Sequence, residues 1–267
     1  MYHTNLKSSR FWPPLLDLFK YFLVIAAITW LMLSSTEKLG YNWQWYRVPQ
    51  YLYAVTDGQF ISGPLLDGLM VTFRITAISL VLAFSFGLVT ALLRLSNSLI
   101  GKILARGYVE IIRNTPLLVQ LFFIYFVLSP VFAISGFTSA VLALSLFEGA
   151  YVSEIFRAGI VSIHKGQWEA ASSIGLNTYQ SYRLIVLPQA IRRILPPLTS
   201  QAVSLIKDSA LVSTIAIYDL TMRGQTIIAK TFLVFEIWFT VAAIYLTVTL
   251  ALSLTVFYME KKFKLDY

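Results

Sequence analysis

Long apolar runs alternate with short polar segments from one end of this chain to the other. A helix needs about 20 predominantly apolar residues to cross a bilayer, and runs approaching or exceeding that length lie at 19–35, 68–93, 114–134, 138–158, 188–206 and 232–258. In lipid every backbone polar group must be satisfied within the segment, so single spans of this kind are helices. The pattern predicts an all-α integral membrane bundle of about six transmembrane helices. The fifth run is the least regular, because Pro196 and Pro197 interrupt it and Arg192 and Arg193 lie near its start. Neighbouring helices can satisfy the carbonyls that proline frees, so a kink is expected there rather than a break.

Composition narrows the class. The 267 residues are 57% hydrophobic and 13% charged, against roughly 45–50% and about 25% for soluble domains. There is no cysteine, which excludes disulfides and thiolate-ligated metals. His3 and His164 are the only histidines, so no metal site is expected. A net charge of +8 raises the question of nucleic acid, but the basic residues flank apolar runs instead of clustering on one face. The bilayer is the expected partner, and nucleic acid is not.

Their placement sets orientation. With the N-terminus cytoplasmic, 15 Lys and Arg fall on inner segments (Lys7, Arg10, Lys20; Arg94, Lys102, Arg106, Arg113; Arg157, Lys165, Arg183, Arg192, Arg193; Lys261, Lys262, Lys264). Outer segments hold 5, namely Lys38, Arg47, Lys207, Arg223 and Lys230, and Arg74 lies inside a span. The excess of basic residues on cytoplasmic segments predicts that both termini are cytoplasmic. The first run, preceded by a basic stretch, also has features of a cleaved signal peptide. Its long basic leader and poor A-x-A site favour an uncleaved anchor. Residues 36–67 are rich in aromatics, including Tyr41, Trp43, Trp45, Tyr46, Tyr51 and Tyr53. Such rings suit the headgroup zone, and a docking surface for a periplasmic partner is the alternative reading.

The cytoplasmic loop 165–188 is the most patterned polar segment. Trp168, Ala171 and Ile174 fall near one face of a short helix, with Glu169 and Ser173 on another. Gly175 suits the left-handed residue that ends a helix. Asn177 or Thr178 can cap a second segment, and Pro188 suits the first turn of the next span. A helix–turn–helix across the cytoplasmic face is predicted. Its small residues Ala170, Ala171, Ser172 and Ser173 let another protein approach closely. An amphipathic connector resting on the inner leaflet is the plainer reading.

Glu169-Ala170-Ala171, Gly175 and Ile185-x-Leu187-Pro188 resemble, in residues and spacing, the EAA loop of bacterial ABC importer permeases. Arg113–Phe123, Gly149–Ile160, Lys207–Ser213 and, more loosely, Tyr41–Trp45 resemble segments of polar amino acid permeases within that family. The resemblance implies a type I ABC importer fold of five core spans, here with one added in front. It divides the chain into an N-terminal anchor and aromatic periplasmic segment (1–67), a permease core (68–258) and a basic cytoplasmic tail (259–267). It also implies two ATP-binding subunits, a second permease subunit that is a copy or a relative, and a periplasmic binding protein. Trp168, Glu169, Ala170, Ala171 and Gly175 would couple to the ATPase. No G-x-x-x-x-G-K-[ST] loop occurs here, so this chain binds no cofactor in this reading, performs no catalysis, and ATP–Mg sits on the partner.

Ionisable groups inside spans are functional candidates by default. They are Arg74, Glu148, Glu154 and Glu236. A zwitterionic amino acid would suit a guanidinium and a carboxylate facing one cavity, while an Arg74–Glu148 ion pair holding two helices together is the structural alternative. Glu154 reads as architectural. The segment Lys207–Lys230, with Asp208 and Ser209, is too polar for lipid and partly too apolar for a free loop. It is expected as a re-entrant segment at the outer mouth or as a periplasmic helix. The candidate substrate pathway is therefore Arg74, Glu148, Glu154, Asp208 and Ser209. Two other function classes remain: a stand-alone secondary transporter or channel, which usually shows paired repeats not seen here, and a membrane enzyme, for which no nucleophile–His arrangement exists.

Overall fold

The computed structural model describes residues 12–56 and 59–263. His3 and the basic Lys7, Arg10 and Lys264 of the charge count lie outside the described residues, as does the end of the tail. The chain divides into two compact units after Trp45. In the first, α1 (Trp12–Leu39) is a single helix over the first apolar run, and Leu23, Ile28 and Trp30 are exposed on it. Beyond α1, Trp43 and Trp45 stack with ring centroids 5.9 Å apart.

The second unit begins with α2 (Pro49–Leu52) and an antiparallel hairpin, β1 (Tyr53–Thr56) with β2 (Gln59–Ser62). Tyr51 and Leu52 pack with Leu65 and Leu220. The aromatic stretch from Tyr46 onward thus joins the core unit, although composition alone groups it with the N-terminus. A Cβ on Gly63 would lie 2.5 Å from the Tyr51 carbonyl oxygen, so only glycine lets the hairpin close onto α2.

Five long segments follow. They are α3 (Pro64–Leu95), the bent pair α4 (Leu99–Arg113) and α5–α6 (Leu117–Phe122, Ser129–Phe132), α7 (Gly136–Val161), α10 (Leu187–Asp208) and α12 (Val234–Phe263). Between them lie α8 (Lys165–Ser173), α9 (Thr178–Ser181) and α11 (Leu220–Thr231). Among the described residues, α3, α7 and α12 are long and apolar enough to cross a membrane, and the bent pair passes the same test when taken together. The polar residues of α10 (Gln189, Arg192, Arg193, Gln201) keep it below that standard. Its two prolines are accommodated inside one continuous helix.

Contacts between helices fix direction. Ser79 on α3 donates to the Val141 carbonyl of α7, and further along Gly87 meets Val152, so α3 and α7 run parallel. The chain between them must therefore recross the layer, and α5–α6 performs that crossing. By contrast, Gly159 meets Ile194 and Glu148 meets Gln201, so α7 and α10 are antiparallel and α8–α9 stays on one side. Three apolar clusters succeed one another along α3 and α7. Leu65, Leu220 and Ile237 lie at one end, Ile75, Leu121 and Leu144 in the middle, and Val152, Val186 and Ile194 towards the α8 side.

Candidate functional site

The loop between α7 and α10 folds as its residue pattern predicts, with one exception. Helix α8 ends at Gly175, whose φ is +80°. The Gly175 and Leu176 amides donate to the Ser172 and Ala171 carbonyls, a Schellman closure that satisfies the last turn. Asn177 then caps α9 through a reciprocal box with Gln180, in which two orphan donors are satisfied at once. A π turn over Tyr182–Val186 joins α9 to α10 directly before Pro188. The second segment and the fifth long helix therefore form one continuous rod. The wider turn lies where proline lacks a donor and crowds the preceding carbonyl.

This geometry sorts the five predicted coupling residues. Trp168 packs edge-on against Tyr182 with centroids 4.9 Å apart, and it joins the cluster of Ile160, Ile163 and Val186. Ala171 is buried. These two residues hold α8 to its own subunit. Glu169, Ala170 and Gly175 face outward, with Glu169 loosely paired to Lys165 at 3.4 Å. Ile174 departs from the expected inward face. It occupies the C-cap, where the chain leaves helical geometry, and it is 73% exposed. A bulky apolar group and two small residues therefore share the outer surface of the turn.

The candidate pathway residues do not all meet. Glu148 lies on α7 between the middle and lower clusters and is 1% exposed. Gln201 on α10 donates to its Oε2 at 2.5 Å, the Asp208 carboxyl interacts with it, and its Oε1 has no hydrogen-bond partner among the described residues. Ser209 is buried one residue beyond Asp208 and donates to the Ile206 carbonyl at 2.7 Å. Glu148, Gln201 and Asp208 thus belong to one neighbourhood, and Ser209 follows Asp208 along the chain. Sequence reasoning missed Gln201, which lies seven residues before Asp208 on the same helix and so shares its face.

Arg74 is absent from this group. It is exposed on α3, and no ion pair joins it to Glu148 among the described residues. The expected Arg74–Glu148 pair does not form, because α3 turns Thr72, Ile75, Thr76 and Ser79 inward and leaves position 74 outside. Glu154 is also elsewhere. It accepts from Arg94 and Arg157, and Arg113 approaches it at 3.9 Å. One carboxylate ties the last turns of α3 and α4 to α7, which is an architectural role. Glu236 is buried near the start of α12.

The segment after α10 contains a 3₁₀ stretch, Ser209–Ile215, and then α11. Asp219 caps α11 through the Met222 amide at 2.8 Å, and Leu220 N–H donates to Thr72 Oγ1 on α3 at 3.2 Å. The segment is fixed to α3 and α12 rather than free.

The family model for the inner-membrane component of binding-protein-dependent transport systems matches residues 83–265. The chain belongs to this family. The glutamine transport permease GlnP of Escherichia coli K12 is 39% identical over 204 residues, covering 75% of this chain and 93% of that protein. The nopaline transport permease NocM of Agrobacterium fabrum is 42% identical over 207 residues, covering 73% and 86%. A crystal structure of an amino acid ABC transporter crystallised with histidines superposes with a TM-score of 0.71 at 38% identity, over 74% of this chain and 94% of that one. The methionine transporter MetNI, at 19% identity and a TM-score of 0.63, shares the fold. This permease is a multi-pass membrane subunit of an importer of the ABC class. Its regular helix packing follows the type I importer architecture expected from its sequence.

Proposed function

We propose that this permease carries a polar amino acid inward. ATP–Mg would bind to two separate ATPase subunits docked on its Glu169–Gly175 turn, and a binding protein would deliver cargo from the opposite side. The observation that carries this reading is the construction of α8. Trp168 and Ala171 anchor it to the α7–α10 core, while Glu169, Ala170, Ile174 and Gly175 are left outward. A rigidly held helix with a low, partly apolar outer face transmits a push into α7 and α10. An interfacial connector would instead turn its apolar residues towards its own lipid side. The charge distribution supports placing this turn and both termini in the cytoplasm.

The pathway reading rests on Glu148, Gln201 and Asp208. A buried carboxylate oxygen without a partner, beside a second acid, suits a cationic group such as a substrate ammonium. The relatives' named cargoes, glutamine and nopaline, both carry one. Ser209 lies close by, whereas Arg74 and Glu154 are not part of this subsite. The chain itself performs no catalysis in this scheme, and a second permease subunit, a copy or a relative, completes the membrane part.

The test is co-purification with the ATPase and binding protein, followed by uptake of labelled amino acids in vesicles. Glu169→Lys is expected to remove ATPase retention while the permease still inserts and extracts normally. Retention and uptake at wild-type level in that variant would defeat the docking assignment.

A further inference from the structure

Helix α4 carries three distinct faces on fifteen residues. Gly101, Ala105 and Val109 repeat every four residues and are buried against α3 and α7. A second face carries Lys102, Arg106, Glu110 and Arg113, at helical spacing. A third carries Ile100, Ile103, Leu104 and Ile111, each between 60% and 72% exposed. Among the described residues, nothing packs fully over the second and third faces. Arg113 is the basic residue of this helix that is engaged among the described residues, over the Tyr151 ring and towards Glu154.

The depth of α4 is also fixed. At its start, Gly101 lies against Leu93, in the last turn of α3. At its end, Arg113 approaches Glu154, which is bonded to Arg94, also in that last turn. Both ends therefore have contacts at the level of that turn, Tyr108 between them reaches inward to the Leu146 carbonyl, and α4 meets the following crossing segment at 106°. It lies across the bundle, on the same side as α8, at the end of a membrane-spanning helix. The apolar and basic faces flank the buried one on opposite sides. That is the arrangement of a helix in the membrane interface, with aliphatic groups towards acyl chains and cations towards headgroups. Ile111 further lines an apolar groove of about 700 Å³ with Val119, Phe123, Ile124, Leu142 and Leu146, so the apolar face continues into a groove with an aliphatic and aromatic lining.

We propose that α4 lies in the headgroup layer and binds anionic phospholipid, with Lys102 and Arg106 on the phosphate and the apolar face and groove on the chains. Charge complementarity selects a lipid over a neutral protein surface. The inference requires only that the chain spans a membrane, so it stands apart from the ATPase-docking assignment.

The chain has no cysteine, so Ile103→Cys in the full-length protein gives one labelling site for a polarity-sensitive fluorophore. In phosphatidylcholine vesicles containing phosphatidylglycerol, lipids with a shallow doxyl group should quench the label. Phosphatidylglycerol titrated into detergent micelles should shift its emission at lower mole fraction than phosphatidylcholine, and inorganic phosphate should not shift it. Each neutralised base should weaken the phosphatidylglycerol response about fivefold, from the ~1 kcal/mol a basic residue contributes at an anionic surface. K102Q/R106Q together should therefore weaken it about 30-fold. Glu110→Gln should strengthen it, which tests the idea even where the double variant is poorly behaved. An unquenched label, equal responses to the two lipids, or shielding that appears only when ATPase subunits are added would overturn the proposal, the last by assigning this face to a protein.

Discussion

Glu148 combines near-complete burial with an oxygen that has no hydrogen-bond partner among the described residues, a state that is unfavourable for a carboxylate beside a second acid and reasonable for one that receives a cationic ligand. Glu148→Gln preserves shape while removing the charge. Hydrogen bonds to charged groups contribute about 1.5–3 kcal/mol, so this change should raise the KM for uptake roughly 10- to 100-fold while leaving ATPase retention intact. An unchanged KM would take Glu148 out of the pathway. Gly175 is a different kind of residue-scale requirement, because its φ of +80° costs an L-residue about 1–2 kcal/mol. Gly175→Ala should lower the thermal midpoint of the purified subunit by a few degrees, and an unaltered midpoint would show that the turn adapts. The sequence exposed Gly175 directly and narrowed the cap to Asn177 or Thr178, since turn and cap chemistry are local, and the structure selects Asn177. It did not reveal Gln201 as the neighbour of Glu148, because that pairing joins positions 53 apart.

Helix packing supplies the clearest element-scale case. A Cβ on Gly159 would stand 2.2 Å from Ile194 Cγ1, so α7 and α10 approach closely only because that side chain is missing. Gly159→Val should destabilise the subunit by about 1–3 kcal/mol, as overpacking does, and G159A/I194A should recover part of the loss. Equal thermal midpoints for Gly159→Val and wild type would exclude a tight contact. Hydropathy located each long helix but missed α4, because its apolar residues are interleaved with Lys102, Arg106 and Glu110 and no window over it is long and apolar enough. The π turn before Pro188 was equally illegible, since it depends on how α9 and α10 share one axis. A sequence pattern instead read the two as separate helices.

On the scale of the molecule, parallel α3 and α7 and antiparallel α7 and α10 give an alternation that places α4, α8 and the ends of α3 and α7 on one side. The excess of basic residues on those segments supports placing that side in the cytoplasm. Single-cysteine variants in right-side-out vesicles test this. Tyr179→Cys on α9 should resist an impermeant thiol reagent until the vesicles are opened, and Lys230→Cys on α11 should react at once. Labelling of both from the same face would refute the topology.

The sequence by itself determined the class, the positions of the long helices, the charge beside their ends and the fold of the turn at Gly175. Each follows from local composition: apolar length against bilayer thickness, charge beside each run, and glycine or asparagine where the backbone needs them. Tertiary structure alone decided which ionisable groups meet. Arg74 and Glu148 are both anomalous in an apolar run, yet helical phase turns one outward and the other inward to Gln201 and Asp208. Glu154 is placed among three arginines, two from the ends of α3 and α4 and one on its own helix. Hydropathy records how deep a residue lies but is nearly blind to rotation about a helix that is apolar on most sides. In such a chain the partner of a buried charge is set by helix–helix packing.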